Sequence, residues 1–288
     1  SAYTGREKII SAKGGYHGHT GLALAAGDRR YREPFHVSAA GFDQVPFGDA
    51  GSLESILGQD TAAVILETVP ATLGMVVPPP GYLAVVRDLC HRAGALFIID
   101  EVQTGLGRTG KLWGFEHFDV VPDMVVLGKG LSGGIYPITA TVLRTPLEQV
   151  FHEDPFIHVS TFGGAEIGCC VAGRVLEMSS DPAFLDHVNA LADDFRGCVE
   201  GLQEKYEDFV VEVRQLGLMM GLVFKGEMAG QVVSKTAYDN DLLMVYANND
   251  PSACQLLPPL NMDRSKMGWV AKRLDRAVAQ ARAVVLRT

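Results

Sequence analysis

Residues 96–110 read Leu-Phe-Ile-Ile-Asp-Glu-Val-Gln-Thr-Gly-Leu-Gly-Arg-Thr-Gly, and residues 124–130 read Met-Val-Val-Leu-Gly-Lys-Gly. In each stretch a run of four apolar residues is followed by an ionisable group, Asp100 in the first and Lys129 in the second. Short apolar runs rich in Ile and Val, bounded by turn residues, predict buried strands of a parallel sheet. Ligands of open α/β sheets bind at the carboxyl ends of such strands. We therefore expect Asp100 and Lys129 to face one bound molecule.

One cofactor chemistry requires this pair of groups. A pyridoxal 5′-phosphate enzyme uses a lysine amine to hold the cofactor aldehyde as a Schiff base, and an acidic partner to keep the pyridine nitrogen protonated. The protonated ring withdraws electrons when a substrate C–H bond breaks, and the freed amine then moves the proton. The pattern predicts Lys129 as the Schiff-base lysine and Asp100 as the acidic partner.

The flanking sequence predicts strands that alternate with helices. Residues 61–66 have the pattern of a buried strand, residues 81–93 have apolar side chains at helical spacing, and Gly94 is a suitable helix cap. Strand, helix and strand in succession favour right-handed crossovers and a mainly parallel sheet. A long helix is predicted at about 165–205, with a break near Asp181-Pro182. From about residue 206, strands and helices follow in another order, which indicates a smaller α+β domain.

Asp-Glu-Val-Gln-Thr-Gly-Leu-Gly-Arg-Thr-Gly at 100–110, together with Gly-Lys-Gly-Leu-Ser-Gly-Gly at 128–134, resembles the class III aminotransferases, which include the ornithine, acetylornithine, putrescine and 4-aminobutyrate enzymes. The resemblance implies an α/β protein of the aspartate-aminotransferase-like fold, fold type I of pyridoxal-phosphate enzymes. It implies a large cofactor-binding domain over 1–164, a connecting helix over 165–205 and a small domain over 206–288. The N-terminal part of the large domain, with its glycine-rich phosphate-binding turn, is expected to be missing.

The resemblance assigns three residues to the faces of the cofactor ring and to the substrate. Tyr16 matches the aromatic residue that stacks on the pyridine ring, His17 its neighbour near the substrate, and Val102 packs on the opposite ring face. The glycines in Gly14-Gly15-Tyr16-His17-Gly18 let the backbone approach a ligand closely.

Three further residues are assigned to the polar groups of the cofactor by the same resemblance. Gln103 is placed at the phenolic oxygen, and Glu67 hydrogen-bonds around Gln103 without transferring a proton. Thr161 reaches across a dimer interface to the phosphate of the partner's cofactor, although a threonine before a helix is also an ordinary N-cap. The resemblance therefore implies a homodimer with its active site at the interface.

Two departures from the family carry information about the substrate. In ornithine-type members a glutamate in the loop after the Glu67 strand pairs with an arginine before a Pro-Pro-Leu motif, and that arginine grips the α-carboxylate of glutamate or 2-oxoglutarate. Here Thr72 stands at the glutamate position and Gln255 at the arginine position. A neutral amide cannot replace a bidentate arginine. We expect an amine or ω-amino donor and a keto-acid acceptor other than 2-oxoglutarate.

Other activities remain open at this point. A relative that uses the same lysine and aspartate as a lyase, eliminating ammonia or a β-substituent from an amino-phosphate or amino-phosphonate compound, needs no acceptor site. A non-catalytic relative is the third alternative, since the phosphate-binding turn is missing. Residues 21–48 are predicted to form a loop because of Pro34 and Pro46, and its arginines at 29, 30 and 32 are either solvated or a site for a substrate anion.

The bulk properties favour an enzyme of small molecules. With 288 residues, 47% hydrophobic composition and a net charge of −9, the chain can bury a large core and is unsuited to nucleic acid or anionic membranes. No run approaches a membrane span or a signal peptide, so a cytoplasmic location is expected. The five cysteines predict buried free thiols, with no metal site.

Overall fold

The computed structural model describes residues 1–287 and divides into two compact units. Unit 1 comprises residues 1–68, 78–106 and 113–179, and unit 2 comprises the remaining described residues, 69–77, 107–112 and 180–287. The short segments 69–77 and 107–112 thus belong to unit 2 although unit 1 flanks them in the sequence. The predicted domain boundaries at 164 and 205 stay a prediction.

Unit 1 contains a six-stranded sheet whose strands are β1 (Lys8–Ala12), β2 (Phe42–Val45), β3 (Thr61–Glu67), β4 (Leu96–Asp100), β5 (Met124–Leu127) and β6 (Ala140–Leu143). Their order across the sheet is β2-β1-β3-β4-β5-β6, and only β6 runs antiparallel to its neighbour. The register pairs Glu67 with Asp100 and Asp100 with Val126. The carboxyl ends of β3, β4 and β5 therefore lie side by side.

The α-helices of unit 1 within residues 1–179 are α1 (Gly21–Ala25), α2 (Arg29–Arg32), α3 (Ala50–Ile56), α4 (Tyr82–Ala93), α5 (Gln149–Glu153) and α6 (Glu166–Ser179). Leu83, Val86 and Leu89 of α4 are buried against the sheet, as their spacing predicts. Gly94 ends α4 in the left-handed conformation, with φ of 66°. Phe97 and Ile99 on the following strand are fully buried. The end of β4 at Asp100 therefore coincides with the end of the buried apolar run.

Unit 2 is built on an antiparallel sheet with the strand order β7-β8-β10-β9. Its strands are β7 (Val210–Leu216), β8 (Met219–Phe224), β9 (Val245–Tyr246) and β10 (Ala253–Leu256), and its helices are α7 (Pro182–Lys205), α8 (Ala229–Asp239) and α9 (Met267–Val285). One buried apolar cluster joins α7, α8, α9 and the strands, with Phe195, Val233 and Val278 fully buried. This arrangement is the α+β pattern expected from the sequence.

Several predicted elements are confirmed and others differ. The predicted break of the long helix near residue 181 is confirmed, because Asp181 accepts a hydrogen bond from Ala183 N and Pro182 begins α7. The predicted loop over 21–48 is wrong in part, since it contains α1, α2 and β2. Residues 42–45 form a strand because β1 supplies them with a parallel partner.

The cysteine prediction is also only partly confirmed. All five thiols are free, and Cys90 and Cys254 are buried, but Cys169 and Cys170 on α6 are exposed. Burial raises the pKa of both the Cys90 and the Cys254 thiol to about 12. Within residues 1–287, no helix has the length and apolar character that crossing a membrane requires.

Candidate active site

The site lies at the carboxyl edge of the unit 1 sheet, where three neighbouring strands end together. Glu67 is the last residue of β3, Asp100 is the last residue of β4, and Lys129 comes two residues after the end of β5. Because β3, β4 and β5 are adjacent and parallel, their final residues emerge at one edge. The expectation that Asp100 and Lys129 follow neighbouring strand ends is confirmed.

The Asp100 carboxylate is buried and held by two hydrogen bonds. Its residue is 5% exposed. The backbone N–H of Val102 donates to Asp100 Oδ1 at 2.9 Å, and His17 Nδ1 lies 2.9 Å from Asp100 Oδ2. A buried carboxylate needs such partners to remain ionised and correctly oriented. One oxygen is thus held by the local turn and the other by a loop 83 positions away in the sequence.

His17 is the second buried member of this pair. Its side chain is 3% exposed, and its Nε2 atom has no hydrogen-bond partner within residues 1–287. The sequence placed His17 beside Tyr16 and the substrate, but did not indicate its contact with Asp100. The unpartnered nitrogen is polar and enclosed, which is unusual in a folded protein.

Lys129 adopts a backbone conformation that lysine rarely takes. Its φ is 40°, and it lies between Gly128 and Gly130 at the start of a 3₁₀ helix, Lys129–Ser132. A side chain in this region costs about 1 kcal/mol or more relative to glycine. Lys129 is exposed, and its Nζ lies 3.4 Å from Gln103 Oε1. Because this backbone conformation disfavours lysine, we infer that the side-chain amine is the reason for a lysine at this position.

Tyr16 and Glu67 meet through the Tyr16 backbone. Tyr16 N–H donates to Glu67 Oε1 at 2.8 Å. A Cβ on Gly15 would lie 3.1 Å from Ala12 O, so the loop fits closely over the end of β1 only with glycine there. The Tyr16 ring is 38% exposed and packs edge-on against His19, with ring centroids 5.0 Å apart. Its outer surface is therefore available to a ligand.

Val102 and Thr161 are the last two residues assigned from sequence. Val102 is half-buried, and its Cγ1 would lie 3.4 Å from a Cβ on Gly128, which is ordinary contact. Thr161 is exposed in the loop before α6, and within residues 1–287 it makes no hydrogen bond to the other assigned residues. The structure thus brings seven of the assigned residues to one sheet edge, whereas the role of Thr161 stays a prediction.

One residue that supports this edge was not predicted from the sequence, namely Glu101. Glu101 is 2% exposed, and its carboxylate accepts hydrogen bonds from Thr68 Oγ1, from Gly114 N at 2.7 Å and from Phe115 N at 3.1 Å. Burial raises the pKa of Glu101 to about 7, and these hydrogen bonds offset part of that effect. The sequence feature that could have indicated Glu101 is its position directly after Asp100.

These residues fit pyridoxal phosphate by the chemistry of their functional groups. Asp100 offers a buried, oriented carboxylate for a protonated ring nitrogen, and Lys129 offers an exposed primary amine for an aldehyde. Gln103 adds an amide beside the amine, and Tyr16 adds an aromatic face. An electron-poor cationic ring requires this combination of groups.

Comparison with known proteins gives the family. The family model described as aminotransferase class-III matches residues 1–278. An uncharacterized aminotransferase of Archaeoglobus fulgidus is 52% identical over 96% of this chain and 65% of its own length. A putrescine aminotransferase of Pectobacterium atrosepticum is 36% identical over 93% of this chain and 59% of its own. The chain therefore spans less than two thirds of the length of these curated relatives.

The solved structures agree in fold. An ornithine aminotransferase of Toxoplasma gondii, described with partial occupancy of PLP at its active site, superposes with a TM-score of 0.90 at 28% identity and covers 99% of this chain and 70% of its own. The chain belongs to the class III aminotransferase family. Both the resemblance recognised in the sequence and the predicted fold type I are confirmed.

Proposed function

We propose that this chain is a pyridoxal-phosphate-dependent aminotransferase that moves an amino group from an amine or ω-amino compound to a keto acid. One observation carries the proposal: a buried, oriented Asp100 and an exposed Lys129 amine follow adjacent strands of one parallel sheet. The relatives described above are aminotransferases, which favours transfer over elimination. The lyase alternative gains no support from them.

The cofactor is pyridoxal 5′-phosphate, in agreement with the family and with the groups at the sheet edge. When bound, it supplies an electron sink for the carbanion that forms at the substrate. Asp100 would hold the ring nitrogen, Lys129 the aldehyde carbon, Gln103 the phenolic oxygen, and Tyr16 and Val102 the two ring faces. Glu67 would hold the Tyr16 backbone in place through its hydrogen bond to Tyr16 N.

Among the chain's own residues, Asp100 would stay fixed during the reaction and Lys129 would move. Asp100 is fixed in orientation because His17 and the Val102 amide contact one carboxylate oxygen each. Lys129 would act as the base that takes a proton from the substrate carbon and returns it elsewhere, which requires a side chain that is free to move. Its exposed position, with Nζ 3.4 Å from Gln103 Oε1, meets that requirement.

The substrate proposal rests on two neutral residues in unit 2. Gln255 of β10 pairs with Gly221 of β8, so their side-chain positions share one face of the sheet. A Cβ on Gly221 would lie 2.3 Å from Gly74 O, which places segment 69–77, with Thr72, over that face. The Thr72 and Gln255 positions thus lie in one region, and neither residue carries a charge.

An arginine does occur on that face, but it is bound to neighbouring groups of unit 2. Arg214 of β7 pairs with Gly221 and donates to the carbonyl oxygens of Leu73 and Gly74, both at 3.1 Å. Its charge is matched by Glu212 at 2.8 Å. Arg214 therefore holds the segment and does not replace the missing carboxylate-binding arginine, which supports an acceptor such as pyruvate over 2-oxoglutarate.

A single-turnover experiment tests the activity. The full-length protein is loaded with pyridoxal phosphate, and a panel of amines, amino-phosphates and amino-phosphonates is added without a keto acid. Stoichiometric conversion to the pyridoxamine form, followed by arrest, is expected. Ammonia released over many turnovers with the original absorption band retained would identify a lyase and overturn the proposal.

A comparison of acceptors tests the substrate proposal. We expect pyruvate to give a higher kcat/KM than 2-oxoglutarate, and Gln255→Arg to narrow the difference, because arginine restores a charge-assisted contact. Gln255→Lys, which adds the same charge without the bidentate geometry, is the control. Strong preference of the wild type for 2-oxoglutarate would contradict the proposal.

The assembly we propose is a homodimer in which Thr161 serves the partner's cofactor phosphate. Thr161 is exposed, and the loop around it presents Phe156 and Phe162 at 83% and 81% exposure. Large exposed apolar side chains of this kind favour an interface. The negative charge and composition support a small-molecule enzyme of the cytoplasm.

Mixed dimers test the sharing of the site. Lys129→Ala and Thr161→Ala proteins are each assayed alone and after subunit exchange. If Thr161 serves the neighbour's site, the mixed dimer contains one site with both native residues, and activity reappears. If mixing restores nothing although exchange is verified, Thr161 does not act across the interface.

A further inference from the structure

Glu101 is a buried ionisable group that the proposed mechanism does not use. It directly follows Asp100, and its backbone N–H donates to Val126 O at 2.9 Å, which continues the pairing between β4 and β5. Its backbone carbonyl accepts from Gly105 N at 3.0 Å, which closes the turn that contains Val102 and Gln103. The backbone of Glu101 therefore defines both the end of the strand and the start of the turn.

The Glu101 side chain joins this turn to two other segments. Thr68, the residue after β3, donates its hydroxyl to Glu101 Oε1. Gly114 N and Phe115 N, at the start of a 3₁₀ helix (Gly114–Phe118), donate to Oε2 and Oε1 at 2.7 and 3.1 Å. One carboxylate thus connects the end of β3, the turn after β4 and the returning end of the loop.

The packing around Glu101 leaves room for little else. A Cβ on Gly114 would come within 3.0 Å of Thr104 Cβ, 3.1 Å of Glu101 Oε1 and 3.2 Å of Thr68 Cγ2. Glycine at 114 therefore lets the loop backbone reach the carboxylate. The groups that face Glu101 from each packed segment, namely Thr68, Thr104, Gly114 and Phe115, are all uncharged.

Hydrogen-bond directions make this arrangement specific for a carboxyl group. Both backbone partners are N–H donors, so each side-chain oxygen must accept from one of them, and a proton on the carboxyl group can face the Thr68 hydroxyl. A glutamine has only one oxygen, and its NH₂ group would face either the Gly114 or the Phe115 amide. A buried donor that faces another donor costs the desolvation of both.

We propose that Glu101 is a positioning residue of the cofactor site: by tying Thr68 and the Gly114 and Phe115 amides to the turn after β4, it sets the positions of Asp100 and Gln103. This inference rests on the proposed function, because it assigns these two residues to the cofactor. Glu101 itself does not touch the cofactor. Its loss loosens the turn, so the ring nitrogen and phenolic oxygen lose their oriented partners.

The test uses Glu101→Gln with Glu116→Gln as the matched control. Glu116 lies in the same 3₁₀ helix and accepts from Trp113 N at 2.9 Å, so Glu116→Gln makes the same chemical change at a carboxylate within residues 113–118. In the unloaded protein, amide hydrogen exchange is measured over 100–105 and 113–118. We expect faster exchange in both segments for Glu101→Gln, and no change over 100–105 for Glu116→Gln.

The loaded protein gives the second readout. Glu101→Gln is expected to bind pyridoxal phosphate about tenfold more weakly, because one buried amide has lost its acceptor. The visible circular dichroism per bound cofactor should also decrease, since it reports how the ring is held. A merely structural role would lower Tm and leave the circular dichroism of bound cofactor unchanged.

The outcomes separate this inference from the proposed function. If wild-type protein binds no pyridoxal phosphate, the proposed function fails. If wild type binds it and Glu101→Gln matches wild type in exchange, affinity and circular dichroism, Glu101 is not a positioning residue, although the function stands. If Glu101→Gln does not fold, Thr68→Val and Thr68→Ser replace it: loss of affinity and dichroism with valine and recovery with serine support the inference, and equal behaviour overturns it.

Discussion

Asp100 and Lys129 follow adjacent strands of the same sheet, yet their surroundings are opposite. Asp100 is 5% exposed, and both of its oxygens are held by partners, His17 and the Val102 amide. Lys129 is exposed, has a strained φ of 40° and has one distant polar neighbour in Gln103. The two residues share a position at the ends of neighbouring strands, but Asp100 is held in place and Lys129 is not.

The difference matches what each group must do in the proposed reaction. A group that stabilises charge works best when it is preorganised, because no reorganisation is then needed during the reaction. A group that carries a proton between atoms must move, and a fixed hydrogen-bond network would oppose it. The sheet edge thus combines a rigid carboxylate with a free amine, and substitutions can test each half.

Removal of the free amine is expected to have the largest effect. Lys129→Ala should lower kcat by about a thousandfold or more, because both the attachment point and the base disappear. The free energy of unfolding should change by about 0.5 kcal/mol or less, since the side chain is exposed and buries little surface. Steady-state kinetics and urea denaturation measure the two quantities, and retained turnover would refute the role.

Neutralisation of the fixed carboxylate comes next. Asp100→Asn keeps the shape but removes the charge, so kcat should fall about a hundredfold and cofactor affinity should weaken. Unlike Lys129→Ala, this change should also destabilise the unloaded protein by about 1–3 kcal/mol, because it disrupts a buried hydrogen-bonded pair. If the two variants show equal stability, the contrast between the two groups does not hold.

A smaller effect is expected when only the partner of Asp100 is changed. His17→Phe keeps a ring in the enclosed position but removes the donor to Asp100 Oδ2. We expect about a tenfold decrease in kcat, with KM for the amine little altered, because Asp100 itself is unchanged and keeps its Val102 contact. His19→Phe, which changes a neighbouring exposed histidine, provides the control.

The last comparison concerns the pH dependence of stability, to which Glu101 contributes. Burial raises the pKa of Glu101 from 4.5 to about 7, so the folded chain holds this proton more tightly than the unfolded chain. Its stabilising contribution is complete below pH 4.5 and is lost as pH rises through about 7. Relative to Glu101→Gln, wild type should therefore lose about 3 kcal/mol of its free energy of unfolding across this range.

Urea denaturation of both unloaded proteins at several pH values measures this difference. The comparison isolates Glu101 because all other titrating groups are common to the two chains. Parallel pH curves would show that Glu101 titrates in the folded state as it does in the unfolded state.

Much of the site could be predicted from local sequence. The apolar runs before Asp100 and Lys129 predict strands because burial on both faces requires such runs, and the glycine and polar residues that follow predict their ends. The end of α4 at Gly94 and the helix start at Pro182 follow from equally local rules. These features depend on neighbours only a few residues away.

Other features could not be predicted because their causes are distant in the chain. Phe42–Val45 is a strand only because β1 lies beside it. His17 and Asp100 are 83 positions apart, and Thr68 and Glu101 are 33 apart. No sequence periodicity connects such residues, because their contact depends on which strands are neighbours in the folded sheet.

The sequence alone determined the class of fold, the family and the positions of the two residues that we propose as reactive. It did so because strand ends, turns and a family motif are written in contiguous residues. The tertiary structure decided which of those residues is held and which is free. That distinction depends on burial and on hydrogen-bond partners contributed by remote loops, and these exist only once β3, β4 and β5 are packed side by side.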